Sequence, residues 1–282
     1  MKVMVTGANG QLGRDVTAQL RMMKIPCLPV DREDFDLCDS RQVADFVLKH
    51  RPTAIIHCAA YTAVDQAERE PERCCRVNGI GTMNLVRAAL AVDAKLCYIS
   101  TEYVFPGEGS SPMEVTARPR PLNVYGLSKL QGEEAVRSLM SRYFIVRISW
   151  LFGMGSNFVR TMLRLGKERG SVRVVCDQVG SPTYTGDLAP LLCRMIQTER
   201  YGIYHATNSG ECSWADFARV IFREAGVPCR VEPIPSSAYP TPARRPLNSR
   251  LSKASLTEAG FPLLPPWEDA LSRYLRRLAE EG

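Results

Sequence analysis

A tyrosine and a lysine stand four residues apart in Asn123-Val-Tyr-Gly-Leu-Ser-Lys129. On a helix, residues i and i+4 share a face, so the Lys129 ammonium is expected beside the Tyr125 phenol. A free phenol holds its proton to about pH 10, and a neighbouring cation favours the phenolate. A tyrosine tuned in this way can pass a proton to or from a sugar or alcohol oxygen near neutral pH. Upstream, an apolar run ends in Ser100-Thr101-Glu102. The Thr101 hydroxyl can donate a hydrogen bond to a carbonyl oxygen that is gaining negative charge. Singly, these are a packed tyrosine, a solvated lysine and a strand-end threonine. Together their roles are complementary, which favours chemistry.

The chain opens on a second chemical signal, Thr6-Gly-Ala-Asn-Gly-Gln-Leu-Gly13. Gly7, Gly10 and Gly13 follow a strand pattern and open a helical one. Such glycines permit a tight turn and a close backbone approach, with the helix N-terminus facing a pyrophosphate. A glycine triplet alone is weak, but strand–turn–helix context raises it above a plain βα turn. Asp31 ends the next strand pattern, near the offset of about 20 residues expected of a ribose-binding acid. A carboxylate there suits the 2′-hydroxyl of NADH, whereas the adjacent Arg32 suits the 2′-phosphate of NADPH, and the choice stays open. Asp36-Leu37-Cys38-Asp39 can bring a carboxylate to the adenine amine. Asp39 or Ser40 as a helix N-cap is the plainer account of that segment's end. A dinucleotide turn joined to a proton donor reads as a hydride-transfer enzyme using NADPH or NADH.

Positioning these groups takes alternating elements. Strands are predicted at Lys2–Thr6, Pro26–Val30, Ala54–Cys58, Lys95–Ser100 and Phe144–Ile148. Helices are predicted near Leu12–Met23, Arg41–His50, Glu72–Ala91 and Leu127–Leu139. That βαβ alternation implies an α/β fold, a Rossmann-type doubly wound parallel sheet over residues 1–150. From 151 to 282 the pattern turns to helices at Phe158–Glu168, Asp187–Thr198, Ser213–Glu224 and Trp267–Leu278. This implies a smaller, mostly helical substrate domain, with segments around 171–200 returning to the sheet. Five prolines between Pro233 and Pro246 predict a stiff, extended loop. Its Arg244-Arg245 pair suits a ligand's diphosphate, since guanidinium forks match phosphate oxygens.

Bulk properties narrow the classes. With 282 residues and 45% hydrophobic content, there is room for a full α/β core. No apolar run reaches the length of a membrane span. The first strand pattern begins at once, so no signal peptide is expected and a cytoplasmic location is the default. The ten cysteines are scattered without any Cys-x2-Cys pair, and His50, His57 and His205 show no ligand spacing, so no metal site is expected. The net charge of +6 comes from dispersed cations. It suits solubility and attraction of anionic small molecules, not a nucleic-acid face.

Thr-Gly-x-x-Gly-x-x-Gly with Tyr-x3-Lys is the hallmark of the extended short-chain dehydrogenase/reductases, which this chain resembles over nearly its whole length. The likeness is carried further by Cys58-Ala-Ala-Tyr-Thr-Ala-Val-Asp-Gln-Ala-Glu68, Ser100-Thr-Glu-Tyr-Val-Phe-Pro-Gly107 and Arg147-Ile-Ser-Trp-Leu-Phe-Gly153. Asp177-Gln-Val-Gly-Ser-Pro-Thr183 and Ala238-Tyr-Pro-Thr-Pro-Ala-Arg-Arg-Pro246 extend it, the latter being the most specific. The resemblance implies reduction of the C4 ketone of dTDP-4-dehydro-β-L-rhamnose by NAD(P)H. It further implies that Gly10, Gln11 and Leu12 hold the pyrophosphate, Asp31 the adenosine ribose, and Asp36 and Leu37 the adenine. Ala59, Ala60 and Tyr61 would line the cofactor groove. Tyr125 would protonate O4, Lys129 would bind the nicotinamide ribose and acidify the tyrosine, and Thr101 would steady the keto oxygen. Thr101, Glu102 and Trp150 would touch the sugar nucleotide.

One departure stands out: similar chains carry Thr-Asp-Tyr where this one has Thr101-Glu102-Tyr103. Some also bind Mg²⁺ at a dimer interface through acidic side chains. No full set is legible here, so Mg²⁺ and a homodimer stay open. The rivals are a sugar-nucleotide epimerase or dehydratase and a non-catalytic subunit similar to the regulatory subunit of methionine adenosyltransferase. A dehydratase needs a second acid after the threonine, where Tyr103 stands. The intact Thr101, Tyr125 and Lys129 favour an enzyme over a regulatory subunit.

Overall fold

A computed structural model describes residues 1–281. Its main sheet runs through β1 (Val3–Thr6), β2 (Cys27–Val30), β3 (Ala54–His57), β4 (Lys95–Thr101), β5 (Tyr143–Ile148) and β6 (Gly202–His205). All pairings are parallel, in the order β2-β1-β3-β4-β5-β6. Successive strand side chains point to opposite faces. Accordingly Val3, Val5, Ile56, Cys97 and Val146 enter one core, while Met4, Ile55, Leu96, Tyr98 and Ile145 enter another. Helices α1 (Gln11–Met22) and α6 (Thr185–Met195) cover the first face; α2 (Ser40–His50), α3 (Thr82–Ala91) and α4 (Val124–Leu139) cover the second. Burial on both faces explains why these strands read as apolar runs.

The chain winds one way from β1 to β2 and the other way from β3 onward. The crevice between the ends of β1 and β3 is therefore the topological switch point, where doubly wound sheets bind ligands. The turns after the two strands touch there: a Cβ on Gly7 would lie 2.7 Å from the Ala59 nitrogen.

A third core gathers α5 (Phe158–Glu168), α7 (Trp214–Glu224) and α8 (Trp267–Glu281) around Phe152, Phe217, Ile221 and Tyr274. This part is less purely helical than expected. Ser171–Val175 pairs in parallel with Arg230–Ile234, away from the main sheet, and two-residue ladders join Leu151–Phe152 to Thr183–Tyr184 and Val179–Gly180 to Asn248–Ser249. Ladders that short leave no period-2 signal. Of the segments around 171–200, α6 packs on the main sheet, and the strand that joins it, β6, follows directly. The proline-rich stretch begins inside a strand, since Pro233 pairs with Val174 in the two-stranded ladder. Proline lacks only the N–H, which an edge strand need not supply.

Candidate active site

Three glycines shape the turn after β1. Gly7 holds φ +66°, a backbone conformation that side chains disfavour. A Cβ on Gly13 would fall 2.1 Å from the Gly7 carbonyl oxygen, so the helix can start this close to the strand only with glycine there. The Gly10 N–H closes the turn onto that same carbonyl at 3.0 Å. No side chain caps α1 and no acid occupies its first turn. An uncapped helix start pointing out of a glycine turn is built to take a phosphate. The residues present therefore fit a dinucleotide pyrophosphate, with Gln11 and Leu12 at the first positions of the helix. Asn157 reaches across from the third core to donate to Gln11 Oε1 at 3.1 Å.

Asp31 follows β2 and accepts from the Asn9 N–H at 2.8 Å and the Arg32 N–H at 2.9 Å. Its carboxylate is thus anchored against the glycine turn, while the Arg32 side chain is exposed. Asp36 accepts from the Cys38 N–H at 2.9 Å, and Asp39 caps α2 through the Arg41 and Gln42 N–H groups. Leu37 lies against Gly81, where a Cβ would meet its Cγ at 2.8 Å. Ala59, Ala60 and Tyr61 form the loop after β3. Asn78 holds this loop by accepting from the Tyr61 N–H at 2.8 Å and donating to the Tyr61 carbonyl at 3.0 Å. The same Asn78 amide donates to Ser128 Oγ at 2.9 Å, tying the loop to α4.

Asn78 is a positioning residue that sequence reasoning missed. It sits in a π-helical stretch, Arg76–Gly81, between Pro71–Cys75 and α3. Such insertions concentrate at functional sites. The available signal was Gly79 and Gly81 inside a predicted helix, two poor helix formers in succession.

Helix α4 carries the tyrosine and lysine, and its start is held from three sides. Asn123 caps it by accepting from the Gly126 N–H and donates to the Arg244 carbonyl, both at 2.8 Å. Glu68 accepts from the Val124 N–H at 2.8 Å. Tyr125 is half-buried, its ring edge-on to Tyr103 with centroids 5.5 Å apart. Burial, then the nearby Glu102 carboxyl, push its phenol above the ordinary range, with the neighbouring Thr101 hydroxyl opposing them.

Lys129 shares the helix face with Tyr125, but its ammonium lies 4.0 Å from the Tyr98 ring centroid. Burial pulls it down to about 7, against the attraction of Glu133. The ammonium expected beside the Tyr125 phenol rests over the Tyr98 ring in the protein alone. Helix spacing fixes where a side chain starts, and the aromatic face of Tyr98 decides where this ammonium ends.

Thr101, at the carboxyl end of β4, is 4% exposed, and Glu102 is 3% exposed. Thr101 Oγ1 lies 2.7 Å from Glu102 Oε2 and accepts from the Tyr103 N–H at 3.2 Å. Burial pushes the Glu102 carboxyl up to about 8.

Trp150 follows β5 with φ +47°, strained backbone for a bulky residue and a common mark of a functional position. It stacks on Trp214 with centroids 3.7 Å apart and packs against Gly180, which has no room for a Cβ. The two arginines of the proline-rich loop part company. Arg245 forms a fork on Asp65, with contacts of 2.8 and 3.0 Å, and donates to Thr241 Oγ1 at 2.6 Å. That hydrogen-bonded guanidinium holds the Asp65 carboxyl below its usual range. Arg244 is exposed and lines an open cavity of about 940 Å³ with Arg120, Asp177, Gln178 and Tyr239.

All ten cysteines are free. Among the described residues, no group of three or more His, Cys, Asp or Glu side chains is placed to hold a metal ion, and no helix is long and apolar enough to cross a membrane.

Residues 1–280 match the family model described as the RmlD substrate binding domain. The chain is 42% identical to the dTDP-4-dehydrorhamnose reductase of Mycolicibacterium smegmatis, covering 96% of this chain and 84% of that protein. It is 38% identical to the dTDP-4-dehydrorhamnose reductase of Escherichia coli, covering 99% and 98%. The crystal structure of the Bacillus anthracis dTDP-4-dehydrorhamnose reductase in complex with NADP superposes with a TM-score of 0.95 at 44% identity, covering 98% of this chain and all of that one.

Proposed function

The chain belongs to the RmlD substrate binding domain family, and from that membership we propose that it reduces the C4 ketone of dTDP-4-dehydro-β-L-rhamnose, giving dTDP-β-L-rhamnose in the cytoplasm. The observation that carries this reading is the convergence, at the carboxyl ends of the sheet strands, of Thr101 at the end of β4, Tyr125 at the start of α4 with its ring edge-on to Tyr103, and the uncapped start of α1. NADPH or NADH, when bound, supplies the hydride. The α1 N-terminus and the Gly7–Gly13 turn hold the pyrophosphate, and Asp31 and Arg32 face the adenosine ribose. Asp36 and Leu37 border the adenine, and the Ala59–Tyr61 loop walls the groove. Thr101 donates to the ketone oxygen, concentrating electron demand at C4. Tyr125 then delivers its proton to O4. A phenol pushed upward by burial stays protonated over the working pH range, the form a ketone reduction consumes, and the developing alkoxide is basic enough to take the proton. Lys129 orients the nicotinamide ribose. Trp150 borders the sugar, and Glu102 acts on it through Thr101.

The test is oxidation of NADPH, followed by absorbance, with dTDP-4-dehydro-L-rhamnose generated in situ and dTDP-glucose as control. Turnover with the ketone alone is the expected result. Equal rates with both, or none with the ketone, reject the reading.

Arg244 is the cation left to meet the diphosphate, because Arg245 is committed to Asp65. Arg244→Ala is expected to raise KM for the sugar nucleotide about 10–100-fold, the worth of a charge-assisted hydrogen bond. KM for NADPH should stay as it is. A change confined to NADPH would move Arg244 out of the substrate site.

A further inference from the structure

The Thr101 hydroxyl has one proton to give and two sites that accept. One accepting site is filled by the Tyr103 N–H at 3.2 Å. The Glu102 carboxyl lies 2.7 Å away through Oε2. An ionised Glu102 can only accept, so it draws the single Thr101 proton inward and leaves none for a substrate. A neutral Glu102 can donate its own O–H to Thr101. That fills the second accepting site and turns the Thr101 proton outward, toward Tyr125 and the ketone oxygen.

The surroundings favour the neutral form. Glu102 is 3% exposed, and its second oxygen, Oε1, is buried with no hydrogen-bond partner. A carboxylate with an unpaired buried oxygen is far costlier than a neutral acid in the same place.

We propose that Glu102 acts as a neutral acid whose proton frees Thr101 to donate to the ketone oxygen, so that ionising Glu102 switches the donor off. This rests on the reductase reading and adds a second proton to it, one that is held and not consumed. Burial dominates the upward shift of Glu102 to about 8, with the Thr101 hydrogen bond and its own backbone N–H opposing it. The titratable groups facing it are Tyr125 from α4 and Tyr103 from its own turn. Of the nearby cations, Arg245 forks onto Asp65 and Lys129 lies over Tyr98. An acid raised in this way keeps its proton below about 8 and loses it above, so the donor is on at neutral pH and fails in alkali.

The experiment compares kcat of the wild type and Glu102→Gln across about pH 6–10 at saturating NADPH and sugar nucleotide. A glutamine amide can donate to Thr101 at every pH. The ratio of variant to wild-type turnover should be level below about pH 7 and climb toward tenfold per unit above about 8. Taking the ratio cancels any limb shared through Lys129. A ratio that ignores pH while the wild type is active overturns the proposal. A wild type inactive at every pH overturns the reductase reading instead, so the two failures are distinct. Should the variant misfold, the infrared spectrum of the wild type gives the same answer. A carboxylic-acid carbonyl band present at neutral pH and lost above about 8 supports a neutral Glu102. Its absence at neutral pH sinks the proposal.

Discussion

Tyr125→Phe is expected to lower kcat about 10²–10⁴-fold, the usual worth of a positioned proton donor. Phenylalanine keeps the ring, so the edge-on contact with Tyr103 and the packing of α4 should survive. Only the phenolic hydroxyl, the proposed proton donor, is lost. The cost should fall on the chemical step, with KM for NADPH little changed, because the pyrophosphate turn is built by residues elsewhere. Steady-state kinetics at saturating substrates read this directly, alongside circular dichroism to confirm folding. Undiminished turnover in a folded variant would strip Tyr125 of its role as acid.

The second large effect concerns stability. Arg147 on β5 is 1% exposed and forms a fork on Glu133 of α4, with contacts of 2.7 and 2.8 Å. The same guanidinium donates to the Val115 carbonyl at 3.1 Å and lies 4.9 Å from the Phe105 ring centroid. Ser100 adds a bond to Glu133, so β4, β5 and the helix bearing Tyr125 and Lys129 meet at one buried pair. Arg147→Met should cost about 3–5 kcal/mol, because it leaves the Glu133 carboxylate buried without its partner. The double variant Arg147→Met with Glu133→Leu should recover much of that loss, since a matched apolar pair leaves no orphaned charge. Urea unfolding midpoints of the three proteins measure it. A single variant as stable as wild type would show that water or another group already compensates Glu133.

Much of the architecture was legible beforehand. The strands through Ile148 were found to within a residue, because strands buried on both faces stand out as apolar runs between glycine and helix signals. By contrast, α4 starts at Val124, three residues before its expected start, and the span expected as one helix over Glu72–Ala91 is broken. The glycine turn was legible for a related reason: Gly7 and Gly13 occupy positions that backbone sterics deny to any other residue. β6 was not seen, because Gly202-Ile-Tyr-His205 holds only two apolar residues in a row, too short a run to stand out. The π-helical stretch and Asn78 also escaped, since an asparagine in a helix carries no mark of the loop it will hold.

At the site, residue types and spacing by themselves determined that a dinucleotide turn, a strand-end threonine and a Tyr-x3-Lys helix belong together. They did so because backbone geometry is local: a strand end, a tight turn and an i, i+4 face follow from neighbouring residues. Charge and proton positions are not local. Only the tertiary structure turned Lys129 onto the Tyr98 ring, gave Arg245 to Asp65 while leaving Arg244 exposed, and enclosed Glu102 against Thr101. Those outcomes depend on which side chains from distant elements exclude water around a group, and burial sets the free energy of each charge more strongly than sequence spacing does.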